Sequence, residues 1–353
     1  MVRKKILVLR YRFIGDTILT VPFLRNLRRA EPDAYIAWVV APGSSEVVQG
    51  VPYVDDLIYW DPPTIHADSR GKHRTLGAKM QFIKELRAKR FDKVYVLKRS
   101  LSSAIMGLLT GARERVGFDT EGRGLLLTKK VPYRSGNHEV QNFLDVLRAD
   151  GVPVVDDQLE AWLSVEEKAF AARFLADLGV QPDEPLIGIH PFAANPTRAW
   201  HEDNFVELAN ALQQVYGGKV LLFGGKGDRE LADAMSRRIS PTPLLAVGST
   251  TIRQSMGLLA RCRFLVCNDS GIMHLAASLQ VPLVALFGPQ SPVKFGPWGK
   301  NCRVVYREFP CSPCKQKFFT ECAPSGRGRP ECLEAISVKD VVKEIEGFLS
   351  GGQ

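Results

Sequence analysis

Short apolar runs alternate along the chain with segments whose apolar residues recur every three to four positions. The two periods predict strands and helices in turn. In the first half, runs at 5–9, 35–40, 56–60 and 93–97 are rich in β-branched and aromatic residues. Their near-continuous hydrophobicity fits parallel strands covered on both faces. Between them, Ile18, Leu19, Val21, Phe23, Leu24 and Leu27 make a mostly apolar helix, with Pro22 as a kink or delayed start. A second helix is predicted over 137–149, with Val140, Phe143, Leu144 and Leu147 on one face. From 150 to 185 the chain turns acidic and proline-bearing around one predicted helix, 165–178, and reads as a linker. A second series follows, with strands at 186–190, 219–223, 264–267 and 283–287 and helices at 203–216, 229–239, 252–260, 271–279 and 338–349.

This rhythm predicts an α/β protein of two Rossmann-like halves, with domains at 1–160 and 161–353. Length agrees, because 353 residues exceed what one hydrophobic core holds comfortably. With 45% hydrophobic and 24% charged residues, the chain lacks the signature of disorder. Arg10 and Arg12 cut the first apolar run short of a secretory signal, and no stretch is long enough for a membrane span. The expected protein is soluble, or at most peripheral on a membrane. Its net charge of +9 favours anionic partners. The basic residues are dispersed and no nucleic-acid module accompanies them, so anionic small molecules or lipids are expected and nucleic acid is not. Seven cysteines without a signal sequence point to the reducing cytoplasm.

In parallel sheets ligands gather at the carboxyl ends of strands, and three loops there carry unusual residues. The first, 10–17, holds Gly15 for a tight turn and Asp16 at a helix start, as a cap or as a catalytic carboxylate. The second, 268–277, has Asp269, Ser270, Gly271 and His274 where a strand meets a small-residue helix. Free amides at that helix start suit a diphosphate, Asp269 can cap, and His274 lies one turn in. The third, 190–200, offers Arg198 to a phosphate and Trp200 as a packing staple. Nearby, Gly224-Gly225-Lys226-Gly227-Asp228 has the look of a nucleotide loop with an acid suited to ribose hydroxyls.

Together these loops resemble the lipopolysaccharide heptosyltransferases of glycosyltransferase family nine. The resemblance rests on Gly15 to Pro22, the Arg198-x-Trp200 loop, Asp269-Ser270-Gly271-x-x-His274-Leu275-Ala276-Ala277 and Leu286-Phe287-Gly288-Pro289. It implies the GT-B fold, two facing Rossmann-like domains with a cleft between them. It makes Asp16 the base and places Arg198, where many members have lysine, at the leaving group. Asp228 and the segment Asp269, Ser270, Gly271, His274 become donor-binding. It puts 100–104 and 111–118 on the acceptor side, with Arg10, Arg12, Lys98, Ser102 and Arg115 as acceptor-binding residues. Acceptor choice would lie in N-terminal loops, including the basic stretch 62–79 with Arg70, Lys72, His73 and Arg74.

The implied partners are a nucleotide-diphosphate sugar, a lipopolysaccharide or lipid A-core acceptor, and the anionic inner-membrane surface. A hydroxyl attacking an anomeric carbon must lose a proton while a diphosphate leaves, so a carboxylate and a cation are both needed. Aspartate can take a proton lost late in an oxocarbenium-like transition state, and inversion is expected. No Asp-x-Asp motif occurs, which favours a transferase that needs neither metal nor other cofactor. Cys311, Cys314, Cys322 and Cys332 could supply four thiolates for zinc, but their spacing is looser than a paired ribbon and free thiols are the expectation. The rival readings are a non-catalytic nucleotide-binding or zinc-dependent binding protein, and a nucleotide-sugar epimerase of the same architecture.

Overall fold

The structure, a computed structural model, describes residues 3–63, 71–314, 322 and 325–350. The chain forms two compact units, Met1–Gln158 and Leu159–Gln353.

The first unit runs β1 (Lys5–Leu9), α1 (Ile14–Leu19), α2 (Val21–Ala30), β2 (Tyr35–Val40), α3 (Pro42–Ser45), β3 (Asp56–Tyr59), α4 (Leu76–Ala88) and β4 (Lys93–Val96). It continues through α5 (Leu101–Leu109), β5 (Glu114–Phe118), β6 (Lys129–Val131) and α6 (Glu139–Ala149). Its six strands are all parallel, in the order β3-β2-β1-β4-β5-β6. The chain steps outward from β1 to β3 and then returns to lay β4 against β1, so the winding reverses between β1 and β4. On one sheet face, Phe82 and Leu86 of α4 and Met106 of α5 pack on Leu7, Leu9, Val94 and Val96. On the other, α2 packs against α6, and Phe23 meets Tyr95 edge-on at 5.1 Å.

The single helix expected after β1 is two. Pro22 sits in the first turn of α2, where a missing N–H costs nothing, and the break falls at Thr20. Thr20 Oγ1 donates to the Asp16 carbonyl, 2.8 Å away.

The second unit runs α7 (Val165–Asp177), β7 (Leu186–His190), α8 (Glu202–Tyr216), β8 (Lys219–Leu222), α9 (Arg229–Ser236), β9 (Leu244–Leu245) and α10 (Ile252–Leu259). It ends with β10 (Phe264–Asn268), α11 (Gly271–Ser278), β11 (Leu283–Phe287), α12 (Pro292–Phe295), β12 (Cys302–Tyr306), α13 (Glu331–Glu334) and α14 (Val338–Ser350). This sheet is also fully parallel, ordered β12-β11-β10-β7-β8-β9, and its winding reverses between β7 and β10. No described helix is long and apolar enough to cross a membrane.

The stretch expected as a linker holds the division between the two units, at 158/159, and its acidic residues serve as counter-ions. Asp156 pairs with Arg25 and with Arg29 of α2, and the Asn26 amide donates to the Asp156 carbonyl at 2.7 Å. Further on, Glu167 at the start of α7 pairs with Arg253 of α10 at 2.6 Å. Asp150 lies at the centre of a buried knot, accepting from Lys93 at 2.7 Å and from the Tyr95 hydroxyl at 2.6 Å, with Lys129 at 3.3 Å. Burial raises the Asp150 pKa, but the Lys93 and Tyr95 bonds outweigh it and hold the carboxyl below its usual range.

Removing this carboxylate leaves Lys93 with Glu114 alone, at 2.8 Å, and takes the acceptor from the Tyr95 hydroxyl, so Asp150→Ala is expected to destabilise the first unit by about 1–3 kcal/mol. Because the folded pKa is depressed, the contribution is present at neutral pH and lost as pH falls through that value. Urea melts of wild type and variant at pH 7 and pH 3 check both: the gap should be large at pH 7 and shrink in acid.

Candidate functional site

At the reversal in the first sheet, the loops after β1 and β4 lie side by side. Arg10 and Asp16 form an ion pair, and the Asp16 carboxylate also accepts from the Phe13 backbone N–H at 3.1 Å. Asp16 is therefore the third residue of α1, reaching back to its first turn, while Phe13 is the N-cap. Arg10 is buried, with its guanidinium 5.5 Å from the centre of the Phe143 ring. Its carbonyl accepts from the Trp38 indole at 3.0 Å, which fixes the start of the loop.

Lys98 joins this group with its ammonium 5.3 Å from the Tyr11 ring centre. Burial, then the like charges of Arg10, Arg12 and Arg99, press its pKa down to about 8, against the opposing pull of Asp16. Tyr11 in turn bonds Ser103 at 2.8 Å, tying the loop to the start of α5. Ser102 is exposed there, 3.1 Å from the Ser100 hydroxyl. Arg12 donates to the Pro63 carbonyl at 3.3 Å.

Arg115 does not join them. It stands near the amino end of β5, where its guanidinium donates to the carbonyls of Leu126 at 2.9 Å and Ala112 at 2.7 Å. His73 is likewise committed: its ring stacks on Trp60 at 4.7 Å and accepts from the Asp61 N–H at 3.0 Å. Arg70 lies outside the described residues. Sequence reasoning missed a cluster on the α6 side, where Arg99 lies 3.8 Å over the Tyr133 ring and both side chains donate to Glu139. Nothing in their spacing marks these three residues as neighbours.

The reversal in the second sheet brings together the loops after β7 and β10. Asn268 couples them, accepting from the Trp200 N–H at 3.0 Å and donating to the Pro191 carbonyl at 2.8 Å. Trp200 is buried, and its indole donates to the Ile336 carbonyl at 3.0 Å. Held this way, Arg198 ends 3.3 Å from Asp269. Asp269 is buried, which raises its pKa against the opposing charge of Arg198. Its side chain does not cap α11; Ser270 occupies the N-cap position, and no side chain accepts from the first amides there. Arg198 Nε, Asp269 Oδ2 and Ser270 Oγ are all buried without a hydrogen-bond partner among the described residues. His274 is buried in the first turns of α11, and Gly271 opens that helix.

Asp228 sits beside the loop after β8, accepting from the Gly225 N–H at 2.8 Å. It lines a cavity of about 160 Å³ with Phe192, Leu231 and Met235. A side chain at Gly224 would come within 2.7 Å of the Phe192 ring, so only glycine lets this loop pack here. His190, the last residue of β7, is a further member that the loop motifs did not single out. Burial lowers its pKa to about 4, with Asp228 opposing, so it is a neutral imidazole at physiological pH. A polar residue closing an apolar strand run was the available signal, and Asn268 shares it. Among the described residues Cys311, Cys314, Cys322 and Cys332 form no disulfide, and no group of three or more metal-ligating side chains is placed to hold an ion.

Each sheet thus presents an arginine and an aspartate at its topological switch point, the place where open parallel sheets bind ligands. Residues 79–322 match the profile of glycosyltransferase family 9 (heptosyltransferase). The chain belongs to that family, and it is an α/β glycosyltransferase of the GT-B class. Lipopolysaccharide heptosyltransferase 2 of Escherichia coli K12 is 30% identical over 318 residues, covering 85% of this chain and 87% of that one. A crystal structure of a family 9 glycosyl transferase from Veillonella parvula matches 100% of this chain and 99% of its own, with a TM-score of 0.87 at 26% identity. The E. coli ADP-heptose lipopolysaccharide heptosyltransferase II structure matches 98% and 99%, with a TM-score of 0.77 at 26% identity. These relatives are transferases, which sets the binding-protein and epimerase readings aside.

Lys98 should lose its proton near pH 8, well below an ordinary lysine at about 10.4. Removing the like charge in Arg12→Ala should raise that midpoint. Amine-specific labelling of Lys98, followed by peptide mass spectrometry across pH 6–11, reads both. A midpoint near 10 in the wild type would contradict the assigned environment.

Proposed function

We propose that this protein transfers a heptose from ADP-heptose to a lipopolysaccharide core acceptor, with inversion and without a divalent metal. The observation that carries this reading is the second-sheet switch point, where Arg198 stands beside Asp269 and the uncapped start of α11. A helix start with free amides and a guanidinium form an anion site of the kind a leaving diphosphate needs. The relatives' activities supply the sugar and the acceptor class: one is a lipopolysaccharide heptosyltransferase 2, and another is named for ADP-heptose.

In this reading Asp228, Ser270, Gly271 and His274 hold the donor, and Asp269 keeps Arg198 in place. Arg10, Arg12, Lys98 and Ser102 hold an anionic acceptor. The acceptor oxygen bonds to the anomeric carbon as the bond to the diphosphate breaks. The hydroxyl proton passes to the Asp16 carboxylate, and the charge on the departing diphosphate falls on Arg198 and the α11 amides. Inversion follows from a single displacement. Because such an acceptor is lipid-anchored, the reading includes peripheral attachment to the cytoplasmic face of the inner membrane through basic residues of the first unit.

ADP should bind in EDTA by calorimetry, and Arg198→Ala should weaken it about 10–100-fold, the value of a charge-assisted bond. Binding that collapses without metal and returns with magnesium would overturn metal independence.

Asp16→Asn should lower transfer about 10²–10⁴-fold while ADP affinity stays near wild type, since the amide cannot take the proton. Its effect on stability is real as well. Oδ1 accepts from Arg10 and Oδ2 from the Phe13 N–H, so the amide NH₂ must face one of these donors, at a cost of about 1–3 kcal/mol. Turnover, ADP affinity and melting temperature on one preparation separate these effects. Near-normal turnover would reduce Asp16 to a helix residue, and NMR of the product's anomeric centre tests inversion.

A further inference from the structure

The helices on one face of the first sheet carry apolar side chains where solvent should find polar ones. Leu101, Ile105, Leu108 and Leu109 of α5 fall at offsets of four, seven and eight, which is one stripe of a helix. That stripe is exposed, to 58% at Leu101. Leu125, in the turn that packs against α5, is 85% exposed. On the neighbouring helix α4, Leu76 is 74% exposed and Met80 64%. Lys84 and Arg87 continue the same stripe of α4. Since Phe82, Leu86 and Met106 anchor both helices to one sheet face, their outer sides look the same way.

At the far end of these helices lies a depression of about 640 Å³ lined by Lys84, Arg87, Arg90 and Arg113, together with Thr110 and Gly111 just after α5. Asp92, the one acid in its lining, already accepts from the Lys5 N–H at 2.8 Å. None of the four cations has an ion-pair or hydrogen-bond partner among the described residues. Elsewhere in this unit basic side chains are routinely paired: Arg3 and Arg28 with Asp55, Lys4 with Glu31, Lys89 with Asp56, Lys93 with Asp150.

We propose that the outer face of α4 and α5 is a docking surface for an anionic bilayer. The leucine, isoleucine and methionine side chains enter the headgroup boundary, and Lys84, Arg87, Arg90 and Arg113 hold lipid phosphates beside them. Charge complementarity selects this occupant. A second copy of a chain carrying +9 would bring further positive charge to four unpaired cations, and free phosphate would leave the apolar stripe in water. The surface also explains how a lipid-anchored acceptor is met, a point that rests on the reading above. Leu101 and Ser102 open α5 beside Lys98, so the stripe starts at the candidate acceptor residues and runs away from them.

The test is flotation of the full chain with vesicles containing phosphatidylglycerol, against neutral phosphatidylcholine vesicles, at low and high salt. Wild type should float with the anionic vesicles and be released by salt. Lys84→Ser/Arg87→Ser should lower the partition coefficient about tenfold or more, as about fivefold per basic residue implies, and Ile105→Ser/Leu108→Ser should lower it about tenfold or more through the apolar area withdrawn from the bilayer. Turnover on a lipid-free acceptor should stay at the wild-type value in both variants, which also shows that they fold. The proposal falls if wild type ignores anionic vesicles, if either variant binds as wild type does, or if inorganic phosphate alone displaces the protein at constant ionic strength. It also falls if Ile105→Ser/Leu108→Ser abolishes self-association in sedimentation and leaves vesicle binding unchanged. Absence of turnover by wild type on any lipid-free acceptor would count against the functional reading and leave the vesicle result standing on its own.

Discussion

A parallel sheet covered by helices on both faces has nowhere to put charge except its edges. In this chain that constraint applies twice, and it decides where everything else goes. The strands of both sheets are apolar in their interiors, so the polar side chains of each unit collect where strands end. Reversal of the winding then leaves two adjacent loops with no crossover between them. Those gaps, after β1 and β4 and after β7 and β10, are where the candidate residues stand.

The two switch points carry the same pair of residue types in different states. Asp16 is used twice, by Arg10 and by the Phe13 amide, and so is held in one orientation. Asp269 is buried against Arg198 with hydrogen-bonding capacity left over, as Ser270 and Arg198 also have. A carboxylate fixed by two donors is held in one orientation and still has lone pairs open to a further donor. An unsaturated cluster at a helix start suits a group that awaits a ligand with many oxygens.

Strands buried on both faces were legible to the residue: 5–9, 35–40, 186–190 and 283–287 stand as expected, because only a continuous apolar run survives in a parallel interior. β5 and β6 were missed. They lie at one side of the sheet and open with charged residues, and β6 has only three residues. Edge strand β12 was missed for a similar reason, since most of it is only half-buried. α5 escaped notice because its outer face is as apolar as its inner one, which erases the helical alternation. The acidic stretch after 150 was read as a linker and the two units do divide within it, but composition could not show that its acids are a row of counter-ions. In the site, loop positions were readable, but the partnerships were not. Asp16 with Arg10 and Asp269 with Arg198 are matters of side-chain reach, and Arg115 shows how a basic residue in a familiar segment can be consumed by backbone carbonyls.

Asn268 has a bearing on how this protein could be re-engineered or diversify. One amide grips the backbone on both flanks of the Arg198 loop while standing next to Asp269, so the two loops form one mechanical piece. A chimera that exchanges either loop alone with a relative would import one half of a joint without its socket. Recombination that preserves function must therefore carry the stretch from β7 through α11 as a single cassette.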